Sequence, residues 1–170
     1  MVKKYFFMFI GFLMVASMAG CKKNIFNKNQ EIITNFESKV KISLDGQGNY
    51  AGTLVHTPEG VTALTFNSPE SLKGLSYSVA GGKYELSKNS LVAEYNMMPF
   101  QKNSYVFYIL SFLDCISNAE NQSKITKNKE GFEIVCENEK FDFTLDENGR
   151  IKNICMSSKN LNVEFTEYKC

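Results

Sequence analysis

Residues 104 to 118 read Ser-Tyr-Val-Phe-Tyr-Ile-Leu-Ser-Phe-Leu-Asp-Cys-Ile-Ser-Asn, and the architecture has to accommodate this stretch. Projected at about 100° per residue, it places Tyr105, Ile109, Phe112 and Ile116 at the centre of an apolar arc. Val106, Leu110 and Leu113 widen the arc on one side, and Tyr108 and Cys115 on the other, to about 220°. A surface helix needs an apolar stripe of little more than about 100°, so this helix must be covered on more than one side or line a cavity. Asn103 or Ser104 is suited to cap its start, with Pro99 punctuating the chain upstream. Ser111, Asp114, Ser117 and Asn118 mark a wetter side. Phe107 falls there too, without a simple packing explanation.

Both flanks of the helix read as strands. Val40, Ile42 and Leu44 alternate with Lys39, Lys41 and Ser43, the period-2 signature of a half-buried strand. Turn residues follow at short intervals in Asp45-Gly46-Gln47-Gly48, Pro58-Glu59-Gly60, Gly81-Gly82 and Asn148-Gly149. The pattern predicts strands over 31–44, 49–57, 61–67, 75–80, 83–87 and 91–96 before the helix. A second set is predicted over 123–128, 131–137, 140–145, 150–157 and 161–168. Ser68-Pro69-Glu70 followed by Gly74 reads as a capped single helical turn. The expected fold is mainly β: a strongly curved antiparallel sheet, a half-barrel of eleven strands, with one apolar helix against its concave face.

The chain has 170 residues, enough for one domain and one sizeable core. Hydrophobic residues make up 44% and charged residues 22%, which excludes a disordered or fibrous chain. Nineteen basic residues against 18 acidic leave no field to attract nucleic acid. A single His and no Trp narrow the catalytic and metal-binding options.

At the N-terminus, Met1 to Lys4 is short and positive, Tyr5 to Val15 is apolar, and Ala16 to Gly20 is small or flexible. That is the three-part layout of a secretory signal. The low-charge run is shorter than the roughly 20 residues a membrane-crossing helix needs. Met18-Ala19-Gly20-Cys21 resembles a bacterial lipobox, departing from the usual Leu at Met18. The resemblance implies that residues 1–20 are a signal peptide, that Cys21 carries a diacylglyceryl group, and that the protein is lipid-anchored to a bacterial membrane on its extracytoplasmic side. Two acyl chains suffice for stable anchoring. Residues 21–30 then form a tether, and Lys22 and Lys23 either lean on anionic headgroups or act as a solvated spacer. Residues 31–170 form the single β domain.

The succession of strands, one apolar helix and further strands is similar to the LolA-like lipoprotein-carrier fold. Pro69-Glu70-Ser71-Leu72-Lys73-Gly74-Leu75, Tyr84-Glu85-Leu86-Ser87 and Leu91-Val92-Ala93-Glu94-Tyr95 carry the resemblance. It implies a concave face that holds acyl chains or other apolar matter. The early strands contain no Arg to match that family's functional basic residue.

Among candidate sites, Tyr105, Ile109, Phe112, Ile116, Phe132, Phe141 and Phe143 are the residues expected to line a pocket for a lipid or apolar small molecule, or else to fill a solid core. His56 ends a strand and would serve a catalytic triad only if a Ser and an acid joined it in a cleft. No nucleophile motif accompanies it, so no catalytic residue is expected. Cys115, Cys136, Cys155 and Cys170 contain no CxxC pair, which argues against a metal site. With Asn138-Glu139 as the hairpin turn, Cys136 faces Phe141, and two strand spacings, about 9.6 Å, separate Cys136 from Cys155, beyond a disulfide's reach. Cys115 with Cys136 is the favoured bridge, the alternative being four reduced thiols. Asp45, Asp142, Asp146 and Glu147 read as hairpin-turn residues. The expectation is a monomeric, non-enzymatic, cofactor-free lipoprotein binding an apolar ligand or lipidated partner in the concave face. The alternative is an envelope structural or interaction module with a filled core.

Overall fold

The strands end where the turn residues stand. The computed structural model describes residues 31–45, 48–96 and 104–169. Six strands come first: β1 (Phe36–Leu44), β2 (Gly48–His56), β3 (Thr62–Ser68), β4 (Leu75–Ala80), β5 (Lys83–Lys88) and β6 (Leu91–Tyr95). The long helix α1 (Tyr105–Ser117) and a short α2 (Ala119–Gln122) follow. Five strands complete the chain: β7 (Thr126–Lys127), β8 (Phe132–Cys136), β9 (Glu139–Leu145), β10 (Ile151–Met156) and β11 (Leu161–Lys169). All eleven belong to one antiparallel sheet of order β6-β5-β4-β3-β2-β1-β11-β10-β9-β8-β7. Two meanders meet where β1 pairs with β11, Ile42 opposite Val163 and Val40 opposite Phe165.

The sheet curves into an open half-barrel, and the register shows where it bends. Shifts fall between Ser38 and Val40, between Ala51 and Gly52, and between Ile151 and Asn153. Such bulges bend a strand and increase its twist. At Gly52 the neighbouring strand comes so close that a Cβ would stand 2.6 Å from the Thr65 carbonyl oxygen.

The concave face carries the apolar alternates: Val40 and Ile42 from β1, Leu54 from β2, Leu64 and Phe66 from β3, Phe141 and Phe143 from β9, Val163 from β11. Against them lies α1, capped by the Ser104 side chain accepting from the Phe107 N–H at 3.2 Å. Every residue of the predicted arc except Tyr105 is buried, and Tyr105 is half-buried. Phe112 sits at the centre, its ring 5.4 Å from both Phe141 and Phe143.

Besides one-residue differences at several strand ends, three departures from expectation stand out. β1 begins at Phe36 rather than residue 31, and Ile33 instead donates to the Gly149 carbonyl. β7 keeps only two residues, because Ser123 turns back to hydrogen-bond the Glu120 carbonyl and close α2. The β8–β9 hairpin turns on Glu137 and Asn138 rather than Asn138-Glu139. Both residues have positive φ, 50° and 67°, so Cys136 faces Glu139. The turn after Pro69 is a single helical turn, Lys73 donating to the Pro69 carbonyl and Gly74 ending it at φ 76°. The signal peptide expected over 1–20, Cys21, the tether 21–30, Gly46-Gln47, Pro99, Asn103 and Cys170 lie outside the described residues.

Phe112→Ala should lower unfolding free energy by about 3–5 kcal/mol, the usual range for removing a fully buried aromatic ring. Leu91→Ala, on exposed β6, should change it by less than about 0.5 kcal/mol. Urea denaturation of both variants checks the contrast.

Candidate functional site

The hairpin registers align His56, Thr62, Val79, Tyr84 and Tyr95 as one rung across β2 to β6 on the concave face. The next rung is Leu54, Leu64, Tyr77, Leu86 and Ala93. Along both rungs burial fades toward β6: Leu54 and Leu64 are buried, Tyr77 and Leu86 half-buried, and Tyr95 is exposed. The helix thus covers the middle of the sheet and leaves the concave side of β4–β6 partly bare.

Where the helix and this wing part, a cleft of about 370 Å³ opens. Thr62, Val79 and Tyr84 form its sheet wall, and Leu110, Ser111 and Asp114 its helix wall. Three hairpin tips form the rim, through Glu59-Gly60, Gly81-Gly82 and Glu137. The wetter side of the helix therefore faces a cleft, and Phe107, buried, lies one turn up that same stripe. Glu59, Asp114 and Glu137 are the charged groups among the described lining residues, which include no Lys or Arg.

His56 stands buried at the base of the cleft. Its Nδ1 lies 2.6 Å from Thr62 Oγ1 and its Nε2 lies 2.6 Å from Ser117 Oγ. Ser117 donates its own hydroxyl proton to the Leu113 carbonyl at 2.7 Å. With that proton committed, Nε2–H donates to Ser117, and Nδ1 accepts from the Thr62 hydroxyl. Burial pushes the imidazole below its ordinary value, against a smaller opposing pull from Asp114. A nucleophile-activating base needs the reverse: serine donating to the ring and an acid on the other nitrogen. The structure brings His56, Ser117 and Asp114 into one cleft, yet the hydrogen bonds run from His56 to Thr62 and Ser117, a latch between β2, β3 and the end of α1 in which Asp114 takes no part.

The seven residues expected to line a pocket divide into two packed groups. Tyr105 stacks on Tyr50 at 5.1 Å and meets the edge of Phe66 at 6.2 Å. Burial, with Tyr50 and Tyr77 nearby, pushes its hydroxyl up to about 12. Phe112, Phe141, Phe143 and half-buried Phe132 form the second group, Phe132 and Phe143 being 5.4 Å apart. Ile109 and Ile116 are fully buried on the same helix face. None of the seven lines the cleft; Phe132 and Phe143 contribute to a small recess of about 90 Å³ between β8 and β10. Cys115 and Cys136 form a disulfide with Cα atoms 6.1 Å apart, joining the last turn of α1 to β8. Cys155 is free. Among the described residues no cluster of His, Cys, Asp and Glu has the makings of a metal site.

Sequence reasoning singled out His56 but missed the cleft. The Gly81-Gly82 turn does align Val79 with Tyr84. The position of that hairpin relative to His56, however, depends on the longer 69–74 connection, whose geometry the sequence pattern leaves open.

The fold and the cleft together define an open antiparallel half-barrel with an internal helix and a lateral opening. No family model matches the chain, and no curated protein matches it. Two solved structures are similar in overall trace. An uncharacterized conserved protein from Thermus thermophilus has a TM-score of 0.47 at 9% identity, over 81% of this chain and 79% of that one. A LolA superfamily protein from Nitrosomonas europaea has a TM-score of 0.44 at 8% identity, over 82% and 88%.

Two outcomes follow from this geometry. Replacing Cys115 and Cys136 together by Ser should lower stability by about 3 kcal/mol, the loop-closure value for a loop of roughly this length. For His56, the folded-state pKa lies below the unfolded value of 6.5, so the unfolded chain binds more protons. Its contribution is fully present above pH 6.5 and is lost as pH falls toward the folded value. Urea midpoints measured from pH 8 to 5 should therefore fall below pH 6.5, and His56→Gln should flatten that decline.

Proposed function

We propose that this chain is an extracytoplasmic bacterial lipoprotein, tethered through lipid on Cys21, whose LolA-like half-barrel binds an apolar or amphipathic ligand on the concave face. The observation that carries the reading is the cleft between α1 and β4–β6. Its volume of about 370 Å³ falls within the usual range for ligand sites, roughly 300–1,000 Å³. Val79, Tyr84 and Leu110 offer apolar contact area there, while Ser111 and the rim carboxylates offer hydrogen-bond partners. With Glu59, Asp114 and Glu137 around the opening, the polar end of the ligand is neutral or cationic, since an anionic headgroup would meet like charge. The role is non-catalytic, in keeping with a His56 whose ring donates to Ser117 rather than activating it. The ligand site thus lies beside the helix, displaced from the seven residues, four on the helix and three on the sheet, that pack between the two.

The filled space under α1 favours a second reading, an envelope interaction module without cargo. Phe112, Ile116 and Leu113 have no exposed surface at all, and the Cys115–Cys136 bridge ties the helix in place.

Native mass spectrometry of the lipoprotein extracted from its own membrane in mild detergent separates the two. Carriage predicts a retained apolar mass beyond the Cys21 modification. Tyr84→Glu or Leu110→Glu should weaken its retention by about tenfold or more, because a carboxylate would be placed against apolar ligand. Protein that never retains such a mass would support the cargo-free module.

A further inference from the structure

Among the described residues the sheet ends at β6, which pairs with β5 and has no described strand on its other backbone edge. Natural sheets usually protect such an edge with Lys, Pro, a bulge or a covering segment. Within Leu91–Tyr95 there is no Lys or Pro, the pairing with β5 runs without a register shift, and Leu91 and Val92 are 77% and 59% exposed. The two faces of this edge differ in chemistry. On the concave side Ala93 and Tyr95 continue the apolar surface of β4 and β5 through Leu86 and Tyr84, and Leu91 stands opposite Lys88. On the convex side Glu94 stands directly opposite Glu85, two carboxylates on neighbouring strands. Like charges in that position are unfavourable. Lys83 lies two residues along β5, yet neither carboxylate has an ion-pair partner among the described residues.

We propose that β6 is a strand-addition site for an extended segment of another protein, with apolar residues on one face and a Lys or Arg on the other, set against Glu94 and Glu85. Added backbone hydrogen bonds supply affinity, and the alternating side chains supply selectivity, the general mode of recognition at an exposed sheet edge. Charge decides against a second copy of this chain as occupant. Antiparallel self-pairing about Ala93 keeps the apolar faces together but sets Glu94 against Val92 of its twin. It also brings the two Glu94 residues into diagonal proximity, so the carboxylates accumulate without a cation. A basic, alternating strand neutralises them.

The test uses the full lipidated chain in detergent micelles and two fluorescein-labelled peptides, one alternating Val with Lys, the other alternating Val with Glu. Fluorescence anisotropy gives binding, and amide hydrogen exchange locates it. The expected result is saturable binding of the Lys peptide with new protection of the Leu91–Tyr95 amides, and binding of the Glu peptide about tenfold weaker or worse. Glu94→Lys, an exposed change that leaves the fold intact, should reverse the preference, and Glu85→Lys should act in the same direction. Unchanged exchange at Leu91–Tyr95 with both peptides overturns the proposal, as does a Glu94→Lys variant with unaltered preference. Protection of the same amides that appears with protein concentration alone, accompanied by dimer in sedimentation, also overturns it, by making a second copy the occupant.

Discussion

A helix that is apolar around more than half its girth cannot rest on a flat surface, and this constraint shapes the molecule. Strands as far apart in the sheet as β3 and β8 both contact α1, and between them the Phe112 ring lies 5.4 Å from Phe141 and from Phe143 of β9. The bend is supplied locally, by register shifts in β1, β2 and β10 and by the absence of a Cβ at Gly52. Sheet curvature and helix hydrophobicity are therefore complementary: neither buries its apolar surface without the other.

The same complementarity explains why an opening exists at all. A helix of 13 residues has one width, whereas the sheet spans eleven strands. Once α1 is enclosed by the central strands, β4 to β6 extend past its flank, and their concave residues are left half-covered. The helix side facing that gap carries Ser111, Asp114 and Ser117, which suits a wetted wall. The cleft is thus a geometric remainder of the packing, lined by whatever the two surfaces present there.

The sequence made the architecture legible because each element bears its own periodic signal. The α1 limits, the strand alternation and the half-barrel class could be read from Tyr105, Ile109, Phe112 and Ile116 and from turns such as Gly81-Gly82. Position across strands was harder. A one-residue difference at the β8–β9 turn, Glu137-Asn138 instead of Asn138-Glu139, changes which residue Cys136 faces. Grouping of aromatics was harder still: Tyr105 and Phe112 share a helix face, yet one end of that face meets Tyr50 and Phe66 and the other meets Phe141 and Phe143. The cleft depends on register summed over five strands and on the rotation of α1, and no local pattern encodes such sums. Phe107 marks the same difficulty, since its place on the wetter stripe gives no hint that it is buried.

The fastenings of α1 are concentrated at one end. The Cys115–Cys136 disulfide and the His56 link to Ser117 both grip its last turn, while the first turn is held by the Ser104 cap and by ring contacts of Tyr105. Any displacement of the helix that preserved the C-terminal fastenings would be a pivot about them, lifting Tyr105 from Tyr50. Such a pivot would expose the most apolar surface at the N-terminal end, away from the rim where Glu59, Glu137 and Gly81-Gly82 stand. The cleft lies beside the fixed end instead, and its helix wall is the best-anchored part of α1. A ligand there meets a preformed surface, so its affinity is set by contacts with that wall and the wing rather than by the free energy of moving the helix.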